Sequence, residues 1–420
     1  MVESGDSRPI LVIGGGISGI TVAVEAAETG SDVVIVEKEP FLGGRVYRMN
    51  QYFPKLCSPL CGMEINFRRI RENPKIRVIT GAELESVSGS NGDFDVRIAV
   101  KPAYINENCT TCDKCSAVCP EERIDEFNYG MGKTKAVYLP HPMAYPPRYT
   151  IDTRVCKGEE CDKCVEACEY DAINLGNKGE ALELKVRSVV YATGWKPYDA
   201  AKIDNLGFGR VDNVINNVMM ERIASPDGPT GGKIVRPSDG REVKEIAFVQ
   251  CAGSRDENHL PYCSAICCMA SLKQATYVRT AYPDSKVTIF YIDIRTPGKY
   301  ETFYAKIAAD ENVRLVKGKV AKIEQDSESG GVIVTAEDVL GGQKIEHKAD
   351  MVVLAAGMVP TAADNGLKSL AATDEDGFIP TPMQAGGVYA AGVAKQPTDV
   401  TTSLKDATGV ALRAIRGIRQ

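Results

Sequence analysis

This 420-residue chain has little of several things: one tryptophan, three histidines, and no long apolar run. No stretch approaches the 18 or more apolar residues of a membrane-spanning helix, so any tie to a membrane must come through another protein. Fifty basic residues stand against 56 acidic ones, mixed along the chain for a net charge of −6, which leaves no basic field for nucleic acid. The opening residues MVESGDSRPI hold neither the basic nor the apolar segment of a secretory signal. A soluble, cytoplasmic setting is therefore expected, with free thiols rather than disulfides. His141, His259 and His347 are scattered; only His259 falls in a cysteine-rich loop, and none is chosen as functional.

Cysteine is abundant: twelve of the fourteen fall into three patterned sets. Cys109, Cys112, Cys115 and Cys119, followed by Pro120, reproduce the C-x2-C-x2-C-x3-C-P run in which three thiolates hold one [4Fe–4S] cube and the fourth ligates a neighbouring cube. Cys156, Cys161, Cys164 and Cys168 form a second run, with its first gap opened to four residues and Glu169 in place of the proline. Crossing the fourth ligands seats one cluster on Cys109, Cys112, Cys115 and Cys168, and another on Cys156, Cys161, Cys164 and Cys119. Structural zinc is the competing reading, but four thiolates per run in this rhythm exceed the needs of a tetrahedral ion.

The N-terminal segment ILVIGGGISGITVAVEAAETGSDVVIVEKE reads as strand, glycine turn, helix, strand. Gly14, Gly16 and Gly19 form the G-x-G-x-x-G turn, with Ser18 inside it, and the helix N-terminus behind it suits a pyrophosphate. Glu37 ends the second strand, where an acid accepts hydrogen bonds from ribose hydroxyls and disfavours a 2′-phosphate. Gly43, Gly44 and Arg45 continue it as E-x5-GGR. VVYATGW, ending at Gly194 and Trp195, resembles the strand-ending turn of two-dinucleotide-binding-domain flavoproteins, so FAD is preferred over NAD. The segment from Gly386 resembles their last flavin motif: a strand ends at Gly392, and a helix N-terminus bearing Thr402 and Ser403 faces the isoalloxazine. Val393 replaces the usual aspartate there.

In thioredoxin-reductase-like enzymes a second glycine fingerprint follows the first strand of the second domain. Here strand 244–249 runs into QCAGSRDENHLPYCSAICCMASLKQA, with Cys251, Cys263, Cys267 and Cys268 where glycines would stand. Buried structural thiols are the alternative to a third [4Fe–4S] cluster replacing the NAD site. Cys57 and Cys61 remain unassigned, either completing a cluster with a different protein chain or lying as reduced thiols. Lys273, little more than a turn into a helix expected to begin after Cys268, is read either as a flavin-tuning ammonium or as an ordinary surface lysine. SPDGPTGGK at 225–233 reads as a mobile connection.

The stretch CAGSRD…YCSAICCM…LKQA, the paired cysteine runs, and EFNYGMGKTKAVYLPHPMAYP after the first run resemble the A-subunit family of heterodisulfide reductases, over nearly the whole chain. Within it, the short length and the lack of a further C-terminal ferredoxin domain resemble the quinone-interacting membrane-bound oxidoreductases of sulfate reducers. The resemblance implies an α/β, thioredoxin-reductase-like flavoprotein with an inserted α+β ferredoxin-like domain, carrying FAD and three [4Fe–4S] clusters. Its domains would be FAD parts at 1–100, 181–242 and 346–420, the insert at 101–180, and a cluster-bearing Rossmann-like domain at 243–345. Three partners are implied: a second flavin/iron–sulfur protein of the complex, a haem-bearing, quinone-reactive membrane subunit, with adenylylsulfate reductase as electron acceptor. Relay, electron bifurcation and NAD(P)H-dependent disulfide reduction stand as competing activities, the last lacking its glycine fingerprint and its C-x-x-C pair.

Overall fold

The computed structural model describes residues 8–90, 92–363, 371–380 and 386–416. The chain divides into two compact units: residues 1–195, 360–396 and 400–420 form the first, and 196–359 with 397–399 the second.

The first unit is built on a parallel sheet ordered Val388–Ala390, Ser188–Tyr191, Ile10–Ile13, Val33–Glu37, Ile76–Thr80. Its central strands, ILVI, VVIVE and SVVY, are apolar runs buried at every position, as expected where both faces are covered. One covering layer is helical. Ile17–Glu28 packs on Val400–Arg416, and the buried alanines Ala23, Ala26, Ala27, Ala407, Ala411 and Ala414 keep that seam narrow. The other layer is an antiparallel meander of Ala82–Ser90, Asp93–Val100 and Glu180–Val186. Asp93–Val100 alternates exposed and buried, the period of a strand with one wet face.

Residues 101–179 replace the turn of one meander hairpin. Val100 still pairs with Glu180, so the inserted segment leaves and returns across a single rung. Within it, Asn106 N donates to Ala172 O and Asn174 N to Tyr104 O, clamping its two ends. Two short helices, Lys114–Ala117 and Lys163–Glu166, lie within the two cysteine runs.

The second unit repeats this plan. Its parallel sheet runs Val214–Asn216, Met351–Ala356, Glu245–Ala252, Lys286–Tyr291, Val313–Lys317, and its meander is Val320–Gln325, Val332–Asp338, Gln343–Ala349. The sequence shows no repeat beyond the two cysteine runs; the duplication lies in strand order, which apolar runs of similar composition do not reveal. The boundaries expected at 242/243 and 345/346 also move. Val214–Asn216 and Met351–Ala356 pair with each other and Met351–Ala356 pairs with Glu245–Ala252, so 196–242 and 346–359 belong to the second unit rather than the flavin unit. Nor is 225–233 a free connection. Thr230 Oγ1 donates to Ile223 O, and Gly228 N to Ser225 O, holding it as a folded turn inside that unit.

Candidate flavin and iron–sulfur sites

The glycine turn of the first unit has the geometry a dinucleotide requires. Gly14 has φ +105° and a Cβ there would lie 2.5 Å from Ala192 O, while a Cβ at Gly19 would strike Gly14 O, so neither position accepts a side chain. Helix Ile17–Glu28 starts with no side-chain cap and no acid in its first turn, leaving its N–H groups and positive dipole end for an anion. Glu37 is buried, and both oxygens are engaged by backbone: Gly15 N donates to Oε2 at 2.6 Å and Glu39 N to Oε1 at 2.8 Å. Burial raises its pKa. Each oxygen keeps a lone pair for a ribose hydroxyl, so the residue both braces the turn and remains able to accept.

The GGR turn packs on the first. Gly43 N donates to Gly15 O at 2.8 Å, and Gly16 bridges Gly43. Arg45 then reaches out of the flavin motif: Nε donates to Trp195 O, Nη1 lies 3.2 Å from the Tyr129 hydroxyl, and the guanidinium covers the Trp195 ring at 5.0 Å. Tyr129 belongs to the insert. Leu42 N also donates to Tyr145 O, and Tyr47 OH to Met143 O, so segment 126–146 returns from the cysteine runs to brace the flavin cradle. Beside Val393 the last helix brings a carboxylate to the strand end. Asp406 Oδ2 accepts from Gly392 N at 2.8 Å, and its Oδ1 pairs with Lys395 at 2.5 Å. Ser18 and Ser403 are buried beside Gly392, and Thr402 is exposed in the helix's first turn. Gly194, at φ +67°, accepts from Thr361 N. These residues fit FAD.

In the insert, Cys109, Cys112, Cys115 and Cys168 line one cavity with about 320 Å³ of free space, part of it open to solvent. Three cysteines of one run thus line the same cavity as the last of the other. Burial, helped by Cys109 and Cys164, pushes the Cys115 thiol up to about 12. Burial likewise pushes Cys164 up to about 11, with Cys156, Cys119 and Cys161 acting on it. The third cysteine of the second run thus feels its own run together with the fourth cysteine of the first. Thiols in such sets stay protonated until a cation joins them, and iron supplies that charge. Among the described residues no three His, Cys, Asp or Glu side chains gather tightly enough for a single metal ion. The donor set fits the larger cube.

Asp152, which sequence reasoning passed over, organises the second run. Its carbonyl accepts from Val155 N and Cys156 N, while its carboxylate takes Arg123 Nε at 2.6 Å and Arg154 Nε at 2.9 Å. Those arginines, Arg154 foremost, hold its carboxyl far below the usual range. An ordinary D-x-R triplet gives no sign of this, because Arg123 lies 29 residues away.

In the second unit, strand Glu245–Ala252 delivers Cys251, and Cys267 and Cys268 open helix Cys267–Ala281, where the first unit has its glycine turn and helix. The helix thus begins two residues earlier than expected, and the cysteine pair is its first turn. Burial raises the Cys251 thiol to about 11 and Cys267 well above the ordinary range, with Cys263 and Cys268 acting on both. The helix has no acid in its first turn, so its N-terminus favours an anionic thiolate set.

Lys273 is buried, not on a solvated face. Nζ lies 3.0 Å from Glu221 Oε1, and Glu221 also accepts from Gln274 Nε2 at 2.7 Å and Tyr277 OH at 3.1 Å. Cys57 and Cys61 are exposed beside Tyr52. Of the histidines, His259 Nδ1 lies 2.8 Å from the Tyr198 hydroxyl.

Comparison with known proteins gives the family and the fold. Residues 9–55 match the FAD dependent oxidoreductase family model. The fold is that of Lactococcus lactis thioredoxin reductase (TM-score 0.54, 13% identity, 98% of this chain and 99% of that one) and of the E. coli flavoprotein disulfide reductase RclA (TM-score 0.51, 14%, 96% and 70%). Over 417 residues, 96% of its length, the chain is 39% identical to the second iron–sulfur A-subunit of the CoB–CoM heterodisulfide reductase of Methanopyrus kandleri. It is 38% identical to the A-subunit of the H2:CoB–CoM heterodisulfide, ferredoxin reductase of Methanothermobacter thermautotrophicus. It spans about 63% of the length of these relatives. Over that shared part, the chain belongs to the A-subunit family of heterodisulfide reductases.

Proposed function

We propose that the chain is an FAD- and iron–sulfur-dependent electron-transfer subunit of a multisubunit oxidoreductase. The observation that carries this is a single compact unit in which the flavin cradle, through Arg45 and Leu42, contacts the segment carrying a cross-run thiol set. FAD, when bound, accepts two electrons and releases them singly. The chain's own part is to take the pyrophosphate on the N-terminus of Ile17–Glu28, to brace the turn with Glu37, and to hold three clusters on Cys109/112/115/168, Cys156/161/164/119 and Cys251/263/267/268. No nucleophile or acid pair is needed.

In the finer reading, electrons derived from a quinol pass through a haem-bearing membrane protein and a second flavin/iron–sulfur subunit toward adenylylsulfate reductase, with this chain peripheral to the cytoplasmic membrane. No described helix is long and apolar enough to cross a membrane, so the haem-bearing partner would be the anchor. A second reading is favoured by the relatives: the same hub serving heterodisulfide reduction. Purification of the native complex separates them by whether a haem-bearing partner or a disulfide-reducing one accompanies the chain.

Anaerobic analysis should find one FAD and about twelve irons per chain, four for each cube. About eight irons, with Cys263 and Cys268 open to alkylation, removes the third cluster. NADH and NADPH should leave the flavin band unbleached, since cysteines stand where a second pyrophosphate turn would be; rapid bleaching without a partner overturns that. A redox titration of semiquinone and clusters together separates bifurcation, which needs widely crossed flavin potentials, from relay.

A further inference from the structure

The loop between Cys251 and Cys263 places a charged pair against the third thiol set. Cys251 and Arg255 both adopt left-handed backbone, φ +58° and +59°, with Gly253 at +82° between them. Such conformations cost non-glycine residues free energy and persist where surroundings over-determine them. Here Ser254 N donates to Cys251 O, Arg255 N to Tyr262 O, and Ser254 Oγ meets the fully buried Ser264 Oγ at 2.7 Å. Folded this way, the loop turns Arg255 back over the strand end. Its Nη1 pairs with Asp293 Oδ1, and the guanidinium also faces the Cys251 sulfur. Asp293 comes from the segment after strand Lys286–Tyr291, and its carbonyl accepts from Cys268 Sγ at 3.7 Å. The guanidinium thus faces one of the four thiols and the Asp293 backbone meets another. Arg295, half exposed, adds a weaker charge 3.6 Å from Asp293.

We infer that Arg255 is a positioning residue that sets the reduction potential of the cluster held by Cys251, Cys263, Cys267 and Cys268, with Asp293 as its opposing charge. This rests on the third cluster proposed above. A cube on four thiolates gains one negative charge on reduction, so a cation beside a ligand sulfur stabilises the reduced form, and an anion the oxidised form. Arg255 is only about a quarter exposed (26%), so its field on Cys251 is not lost to solvent. Asp293, at 47%, fixes the guanidinium and offsets part of its charge.

The test is an EPR-monitored redox titration of the full chain, reading each cluster's midpoint. Arg255→Gln, which keeps a donor but removes the charge, should disfavour reduction of this cluster about tenfold, 59 mV for one electron. Arg255→Lys should retain most of the wild-type midpoint. Asp293→Asn should move it the opposite way, and the two insert clusters should not move in any variant. A loaded Arg255→Gln protein with unchanged midpoint overturns the inference, as do Arg255→Gln and Asp293→Asn shifts of the same sign. If Arg255→Gln does not load, Asp293→Asn decides alone: a raised midpoint supports the inference, an unchanged or lowered one overturns it. Absence of a third cluster in the wild-type chain refutes the underlying assignment instead, and the inference with it.

Discussion

Replacing Asp152 by Asn tests whether a residue outside every cysteine motif holds the second cluster's loop. The wild-type carboxylate, 7% exposed, accepts from buried Arg123 and from Arg154, which is 64% exposed. Removing one partner of a buried ion pair typically costs about 3–5 kcal/mol, because the other charge stays buried. Arg123 keeps two supports, Glu126 Oε2 at 2.8 Å and the Tyr138 ring at 4.3 Å, and Asn retains one acceptor oxygen, so the loss should fall near the lower bound. The exposed Arg154 contact adds about 0–1 kcal/mol. Together the estimate is about 3 kcal/mol. The sign of the pH effect follows from the depressed pKa: the stabilisation is present above the ordinary carboxylate range and is lost as pH falls below it toward the lower folded value. Anaerobic guanidinium titrations, following flavin fluorescence and cluster absorbance separately, should show Asp152→Asn releasing the insert clusters at lower denaturant than wild type, with flavin release less affected. Across a descending pH series the wild-type insert midpoint should approach that of the variant. Equal cluster midpoints at pH 7 would refute the argument.

The ligand crossing predicts that Cys168→Ala removes the cluster seated on Cys109, Cys112 and Cys115, while Cys119→Ala removes the one seated on Cys161 and Cys164; EPR loss confined to the substituted residue's own run would reverse it. The flavin-tuning reading of Lys273 predicts that Lys273→Met shifts the flavin midpoint by several tens of millivolts, a tenfold change for one electron being about 59 mV. The substitution also strips buried Glu221 of its cation, so FAD and iron content are measured first and the midpoint is read in loaded protein. An unaltered midpoint in the loaded variant would confine Lys273 to its pair with Glu221. Arg45→Ala should weaken flavin retention and also release the insert segment, read as faster proteolysis near Tyr129; loss of flavin alone would separate the two roles.

What the sequence made legible is what short-range chemistry imposes. A glycine turn between an apolar strand and a helix is demanded by a few atoms of steric contact, as at Gly14 and Gly19, so spacing reveals it. Cysteine runs are equally local. The unit boundary was not legible, because Val214–Asn216 acquires its place only by pairing with Met351–Ala356, more than 130 residues later. Asp406, Asp152 and Glu221 were missed for the same reason: each is defined by a partner from another element, and a lone carboxylate on a helix or loop carries no mark of the group it will meet. Lys273 was legible as a position but not as an environment, since periodicity cannot distinguish a buried lysine with a counter-ion from a solvated one.

The two meanders show how a cysteine domain can be added to this fold without disturbing the flavin site. In the second unit the hairpin closes tightly, with Asp338 paired to Gln343. In the first, residues 101–179 occupy the corresponding turn between Val100 and Glu180. Because the two ends are already held one rung apart by the sheet, inserting a folded segment there costs little closure entropy, and hairpin tips are where insertions are best tolerated. A tethered insert could still have swung freely. Here it is fixed by Leu42 with Tyr145, Tyr47 with Met143, and Arg45 with Tyr129. Each of those contacts lands on the GGR turn or the residues beside it. In the proposed function, electron exchange between the flavin cradle and the Cys109–Cys168 set would depend on packing inside one compact unit, and Arg45 is one of three residues, with Leu42 and Tyr47, through which a change in either would be felt by the other.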